Sequence, residues 1–127
     1  MAFRTELTLR LQNSPGALAD VCRVLADERV KVDAMSLDGT GTLRLVVDNP
    51  VHAGGTLRER NYSVETKDVL YVIVPNDHMA VARALALIAQ AGVTVDYSYG
   101  GSLDADRMVG IVVGVADPER ASAAAGV

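Results

Sequence analysis

The chain repeats itself once. At an offset of 63 residues, Leu7, Leu9 and Leu11 fall on Leu70, Val72 and Val74, Leu25-Ala26 on Ile88-Ala89, and Val30-Lys-Val-Asp33 on Val93-Thr-Val-Asp96. The second copy then carries about five extra residues around Gly100-Gly-Ser-Leu-Asp104, and the register returns where Asn49-Pro50 matches Asp117-Pro118. Two copies of this length are a duplicated small domain and not a solenoid. A unit this small buries only ~60% of its unfolded surface, so the copies are expected to pack together.

Each copy has one pattern. From Phe3 to Leu11 apolar and polar residues alternate, as in a half-buried strand. Gln12-Asn-Ser-Pro-Gly16 interrupts it. Ser14 suits an N-cap and Pro15 a first helical residue, and Leu18, Val21, Cys22 and Leu25 follow one helical face. Val30–Leu37 and Thr42–Asp48 read as strands joined by an Asp38-Gly-Thr-Gly41 hairpin, Pro50–Arg60 as a weak helix, and Tyr62–Thr66 as a fourth strand. The order is β-α-β-β-α-β, with both helices on one face of an antiparallel sheet. The second copy repeats it through Val69–Val74, a helix near His78–Ala91, Val93–Tyr99, Met108–Val115 and Pro118–Ala125, and then stops. The expected fold is α+β: two ferredoxin-like repeats with antiparallel sheets, residues 1–66 and 67–127, the second lacking its final strand. Between Tyr62 and Val74 there is no Gly or Pro, so the last strand of copy one is expected to run into the first of copy two.

Composition excludes several classes of function. Half the residues are hydrophobic and the net charge is −4, which disfavours nucleic acid and anionic membranes as partners. The longest apolar run, Val69–Val74, is far too short to span a bilayer, and the start has no apolar signal region; a cytoplasmic location is expected. The single Cys22 sits on an apolar helical stripe, and with His52 and His78 shows no metal-ligand spacing, so neither metal nor cofactor is expected. RNA-binding modules share this topology but read bases with aromatics on strands one and three; Leu7–Leu11 and Leu43–Val47 carry none, and copy two has Tyr71 but none in Met108–Val115. No catalytic constellation appears, and the expectation is a non-enzyme.

What remains is Asn13-Ser-Pro-Gly-Ala-Leu18. A helix start presents unpaired N–H groups and a positive dipole end, which suit a carboxylate, and Gly16 permits close approach. From spacing alone a plain helix cap is the simpler reading. The run Asn-Ser-Pro-Gly-Ala-Leu-Ala, then Val-Leu-Ala, with Ala34-Met-Ser-Leu37, Leu43-Arg-Leu-Val-Val-Asp-Asn-Pro50 and Val93-Thr-Val-Asp-Tyr-Ser-Tyr99 in a duplicated frame, resembles the ACT domain, specifically stand-alone bacterial two-ACT-domain proteins. That resemblance implies a regulatory module binding an amino acid near a domain interface, here at Asn13, Ser14, Pro15, Gly16, Ala17 and Leu18. Lys31 and Thr94 stand where such domains often carry Asn. In copy two His78-Met79 replaces Pro-Gly, leaving Asn76, Asp77 and Thr94 as a weaker second site. The alternative is a ligand-free interaction domain.

The alternation also predicts a partner. In copy one the face opposite the helices carries Glu6, Thr8, Arg10, Thr42 and Arg44, and is expected to stay open to water. In copy two it carries Val69, Tyr71, Ile73 and Val112, with Gly110 and Gly114 between them. An apolar sheet face signals a partner, so a homodimer through Tyr71, Ile73 and Val112 is expected.

Overall fold

The computed structural model describes residues 2–125. The elements are β1 (Ala2–Arg10), α1 (Ala17–Asp27), β2 (Val32–Leu37), β3 (Thr42–Val47), α2 (Pro50–Glu59), β4 (Val64–Pro75), α3 (Ala80–Gln90), β5 (Val95–Leu103), β6 (Met108–Val115) and α4 (Pro118–Ala125). Thr5–Lys67 forms one compact unit. Asp68 onward, together with the start of β1 up to Arg4, forms the other.

The first unit is a β-α-β-β-α-β module with hydrogen-bonded strand order β2-β3-β1-β4. β1 and β3 are antiparallel, with Leu7 opposite Leu45 and Leu9 opposite Leu43. These four leucines share one face and meet Val21, Leu25 and Leu57 from α1 and α2 in a dry core. Fully burying each such side chain is worth roughly 1.5–3 kcal/mol, which holds the helices to the sheet.

In the second unit the order is β1-β4-β6-β5. Its core is smaller: Leu70 and Val72 from β4, Ala84 and Ile88 from α3, Val113 and Val115 from β6, and Ala121 from α4. β4 is one strand of twelve residues that begins in the first unit and continues into the second, as the absence of Gly and Pro from Tyr62 to Val74 predicts. Among the described residues the second repeat has no fourth strand of its own. In its unit the place beside β4 is taken by the first residues of β1, Ala2–Arg4. The duplication extends to an irregularity. β2 breaks register between Val32 and Ala34, and β5 between Val95 and Tyr97, so both repeats bulge at equivalent aspartates, Asp33 and Asp96.

The faces turned away from the helices differ from expectation. In the first unit Glu6 and its register partner Val46 are fully buried, so this face is not simply wet. No buried side-chain nitrogen or oxygen among the described residues lacks a hydrogen-bond partner, the Glu6 carboxyl included. In the second unit Val69, Val112 and Tyr71 are also buried, and Ile73 alone of the predicted patch is half exposed. The reason lies in the glycines. A Cβ on Gly114 would run into the Tyr97 ring, and one on Gly110 would lie 2.7 Å from the Tyr71 hydroxyl oxygen. Large side chains therefore fold over the gaps that small ones leave. Tyr71 and Tyr99 flank Val112 in register, Tyr97 and Tyr99 stack at 6.4 Å, and the Arg4 guanidinium sits 5.5 Å from the centre of the Tyr71 ring.

Deleting Ala2–Arg4 removes the strand beside β4 in the second unit and leaves the first core intact. Amide hydrogen exchange is expected to accelerate along Leu70–Val74 while β2 and β3 keep their protection. Equal acceleration in both units, or none, would contradict this division.

Candidate ligand-binding site

After Leu11 the chain turns before it can become helical. The Ala17 N–H donates to the Ser14 carbonyl at 3.3 Å, closing a β-turn over Ser14-Pro15-Gly16-Ala17. Pro15 holds the second position, where its fixed φ fits. Gly16 holds the third with φ 84° and ψ −7°, the geometry of a type II turn that favours glycine. An added Cβ at Gly16 meets nothing within 4 Å, so it is the backbone angle and not crowding that requires glycine there. α1 accordingly starts at Ala17, with Gly16 as N-cap and no side-chain cap. This corrects the expectation that Ser14 caps and Pro15 opens the helix: the Pro-Gly pair prefers the turn. The Gly16 carbonyl accepts the Asp20 N–H at 2.9 Å, the first helical bond. The amides of Leu18 and Ala19 lie ahead of any intrahelical acceptor, at the positive end of the dipole.

Beside this loop lies the β2–β3 hairpin. In a β-α-β-β-α-β unit the end of β1, the start of α1, the β2–β3 connection and the α2–β4 turn all fall at one end of the sheet. The Leu11 N–H donates to the Gly41 carbonyl at 2.8 Å, and a Cβ on Gly41 would lie 2.6 Å from the Leu11 carbonyl oxygen. Gly41, at φ 87°, thus lets the hairpin close onto the end of β1. The cleft between them has a volume of about 490 Å³ and is bordered by Asn13, Ser14 and Gly16–Ala19 on one side and Leu37–Gly39 and Gly41 on the other. That volume lies within the usual range for small-molecule sites. Of the predicted residues, Asn13, Ser14, Gly16, Ala17 and Leu18 border it, while Pro15 acts through the turn.

Asp38 is the charged group of the hairpin. Its Oδ1 accepts from the Thr40 hydroxyl, from the Thr40 N–H at 2.9 Å and from the Thr42 N–H at 3.2 Å, while Oδ2 stands 3.7 Å from Arg44 Nη1. The Thr40 hydroxyl bond, then the two backbone bonds, hold the carboxyl below its ordinary pKa. Sequence reasoning took Asp38-Gly-Thr-Gly41 for a hairpin turn, which it is, and missed that the turn borders the cleft. The topology of the repeat was the available signal.

The second repeat closes the equivalent position with its own chain. The Asp77 Oδ1 accepts the N–H groups of Met79 and Ala80, both at 2.8 Å, at the start of α3. The Met79 bond, then the Ala80 bond, lower its pKa. Asn76 is spent on the β5–β6 hairpin: its side-chain amide donates to the Asp106 carbonyl at 2.8 Å and its N–H to the Arg107 carbonyl at 3.0 Å. That hairpin carries three successive residues at positive φ, Asp104, Ala105 and Asp106. Thr94 is exposed just before β5. Among the described residues no cluster of three or more His, Cys, Asp and Glu has the arrangement to hold a metal ion, and no helix is long and apolar enough to cross a membrane.

The Asp77 cap makes a signed prediction. Because its folded pKa is depressed, its stabilisation is present above the unfolded value of about 4 and is lost as the pH falls through the folded one. Asp77→Ala is expected to lower Tm at pH 7 and to lose that effect in strong acid. A Tm difference that persists unchanged at low pH would show that the carboxylate is not the cap.

Comparison with known proteins places this geometry. A family model for an ACT domain pair matches residues 3–124. Among solved structures, a Bacteroides thetaiotaomicron protein is similar at 25% identity and TM-score 0.88, covering 96% of this chain and 85% of that one. The ligand-free regulatory subunit of aspartate kinase from Thermus thermophilus shares 16% identity at TM-score 0.69, over 98% of this chain and 92% of that one. E. coli aspartokinase III in complex with lysine and aspartate shares 19% identity at TM-score 0.58, over 94% of this chain and 29% of that one. No curated protein matches the chain. A match over nearly the whole length, on a duplicated β-α-β-β-α-β frame with its loop, hairpin and open helix start, makes this chain a member of the ACT domain pair family.

Proposed function

We propose that the chain is a non-catalytic, cytoplasmic regulatory module that binds an amino acid at the start of α1 in its first repeat. The observation that carries the reading is the contrast between the two helix starts. At the start of α3 the Asp77 carboxylate accepts the N–H groups of Met79 and Ala80, whereas at the start of α1 the equivalent Ala17 N–H closes onto the Ser14 carbonyl, no side chain caps Gly16, and the helix start borders a cleft. The second repeat shows what such a helix start accepts, namely a carboxylate. In the first repeat a ligand carboxylate would take that role at the Gly16 N–H, the counterpart of Met79, and reach on to the N–H groups of Leu18 and Ala19 with the Asn13 side chain beside it, since the Ala17 N–H already closes the turn. Asp38 on the facing hairpin offers a carboxylate to the ligand's ammonium group. An anion held on one wall and a cation on the other describe a zwitterion. The lysine-bound aspartokinase of similar fold is consistent with this ligand class. Asn76, Asp77 and Thr94 are then a site filled by its own chain.

We also propose a homodimer through the outer face of the second unit. Its contact surface would be the exposed Ile73 and the half-buried rings of Tyr97 and Tyr99, with Tyr71 and Val112 beneath them. Ile73→Lys is expected to give a monomer by light scattering. A wild-type chain that is monomeric at high concentration, or a dimer that survives the substitution, would remove this interface.

Titration calorimetry against the common amino acids tests the site. One of them is expected to bind, and Asp38→Asn should weaken it about tenfold by removing one charged partner. Gly16→Val is a poor probe, because a β-branched residue is strained at φ 84° whatever the cleft does. Gly16→Asn keeps the turn, since Asn tolerates the left-handed region, and sets a side chain against the cleft. It is expected to abolish binding with little change in Tm. Binding of no amino acid, or wild-type affinity in both variants, would sink the assignment.

A further inference from the structure

The Gln12–Ser14 loop has a second hollow on its other side. A cleft of about 410 Å³ lies between the end of β1, the first turn of α1 and the α2–β4 turn, bordered there by Arg10, Asp20, Asn61, Tyr62 and Ser63. It shares Leu11, Gln12, Ser14 and Ala17 with the first cleft, but none of the hairpin residues. Its size again suits a small molecule.

The chemistry of this cleft is balanced. It holds one guanidinium, one carboxylate and five neutral hydrogen-bonding side chains, those of Gln12, Ser14, Asn61, Tyr62 and Ser63. Arg10 is oriented by a tether, Nη1 donating to the Thr40 carbonyl at 2.8 Å, and a guanidinium has further N–H groups to give. The opposite wall is fixed without any ligand: the Tyr62 N–H bonds the Leu57 carbonyl at 3.1 Å and the Asn61 N–H the Arg58 carbonyl at 3.0 Å, a Schellman closure with Asn61 at φ 70°. Tyr62 packs against the first core and also borders the cleft. The charged pair is not something the fold needs. At the equivalent positions the second repeat has Ile73 and Arg83, and it builds the same β-α-β pattern without an acid and a base there.

We propose that this cleft is a second ligand site, taking an α-amino acid with an uncharged polar side chain. Its carboxylate pairs with Arg10, its ammonium with Asp20, and its side chain meets Asn61, Tyr62 and Ser63. The site stands apart from the first cleft, and the two share a wall only one chain thick.

The test is an amide NMR titration of the full chain with L-glutamine, with acetate and methylammonium as the two halves of the head group. Saturable shifts are expected at Asp20 and at Asn61–Ser63, and neither half-molecule should reproduce them at the same concentration. Arg10→Met and Asp20→Asn, both at exposed positions, should each weaken those shifts about tenfold or more while the β3 amides keep their wild-type dispersion. Shifts confined to Asn13–Ala19 and Leu37–Gly41 would overturn this site and leave the first cleft standing. Shifts at Asn61–Ser63 alone would uphold this site and count against the first. A response to acetate equal to that of L-glutamine would make the cleft an anion site, and silence at Asn61–Ser63 or wild-type binding in both variants would equally overturn the proposal.

Discussion

Two long strands carry the architecture. β1 and β4 each belong partly to one unit and partly to the other, so the second unit is not a continuous stretch of sequence: it combines the first residues of β1 with Asp68 onward. A unit of this size has little core to spare, and the second core is the smaller of the two. Borrowing Ala2–Arg4 gives β4 a neighbour that no other element of the second unit supplies among the described residues. Without that neighbour one side of β4 would present a row of unpaired N–H and C=O groups.

On this frame the two repeats treat the same helix start in opposite ways. A helix N-terminus has amides to satisfy, and three agents are available: a side chain, water or a ligand. The second repeat uses Asp77. The first gives up a side-chain cap and adopts a Pro-Gly turn, which places a glycine at positive φ and opens the helix onto a cleft. In the proposed function, duplication followed by such divergence leaves one repeat to take a ligand, while in the other Asp77 meets the N–H groups of Met79 and Ala80. The asymmetry is chemical, since the topology, the bulges at Asp33 and Asp96 and the helix positions are shared.

Much of this was legible in the sequence, because periodicity reports directly on local structure. The alternation from Phe3 to Leu11, the offset between copies and the Gly-free run through β4 all appear as read. Other features depend on contacts that no local pattern encodes. Gly16 reads as a tolerated residue in a frayed helix, yet it is the pivot of a turn that competes with the helix. Asp38 reads as a hairpin residue, and only the common end of the sheet brings it to the loop. Alternation marks Val69, Tyr71 and Val112 as one face, but what covers them follows from register: Tyr97 and Tyr99 reach them only because β5 pairs with β6 as it does. Glu6 is buried for a similar reason, on a strand whose pattern alone would leave it wet.

The central claim is that the first repeat, and not the second, holds an amino-acid carboxylate at its open helix start. A crystal structure of the full chain grown with its tightest-binding amino acid measures this directly. The account predicts a ligand carboxylate oxygen at about 3 Å from the Leu18 or Ala19 nitrogen, with its ammonium toward Asp38 and with Asp77 still capping α3. A carboxylate bound at Met79 and Ala80 with Asp77 displaced, or a ligand that touches neither α1 nor the hairpin, would contradict it.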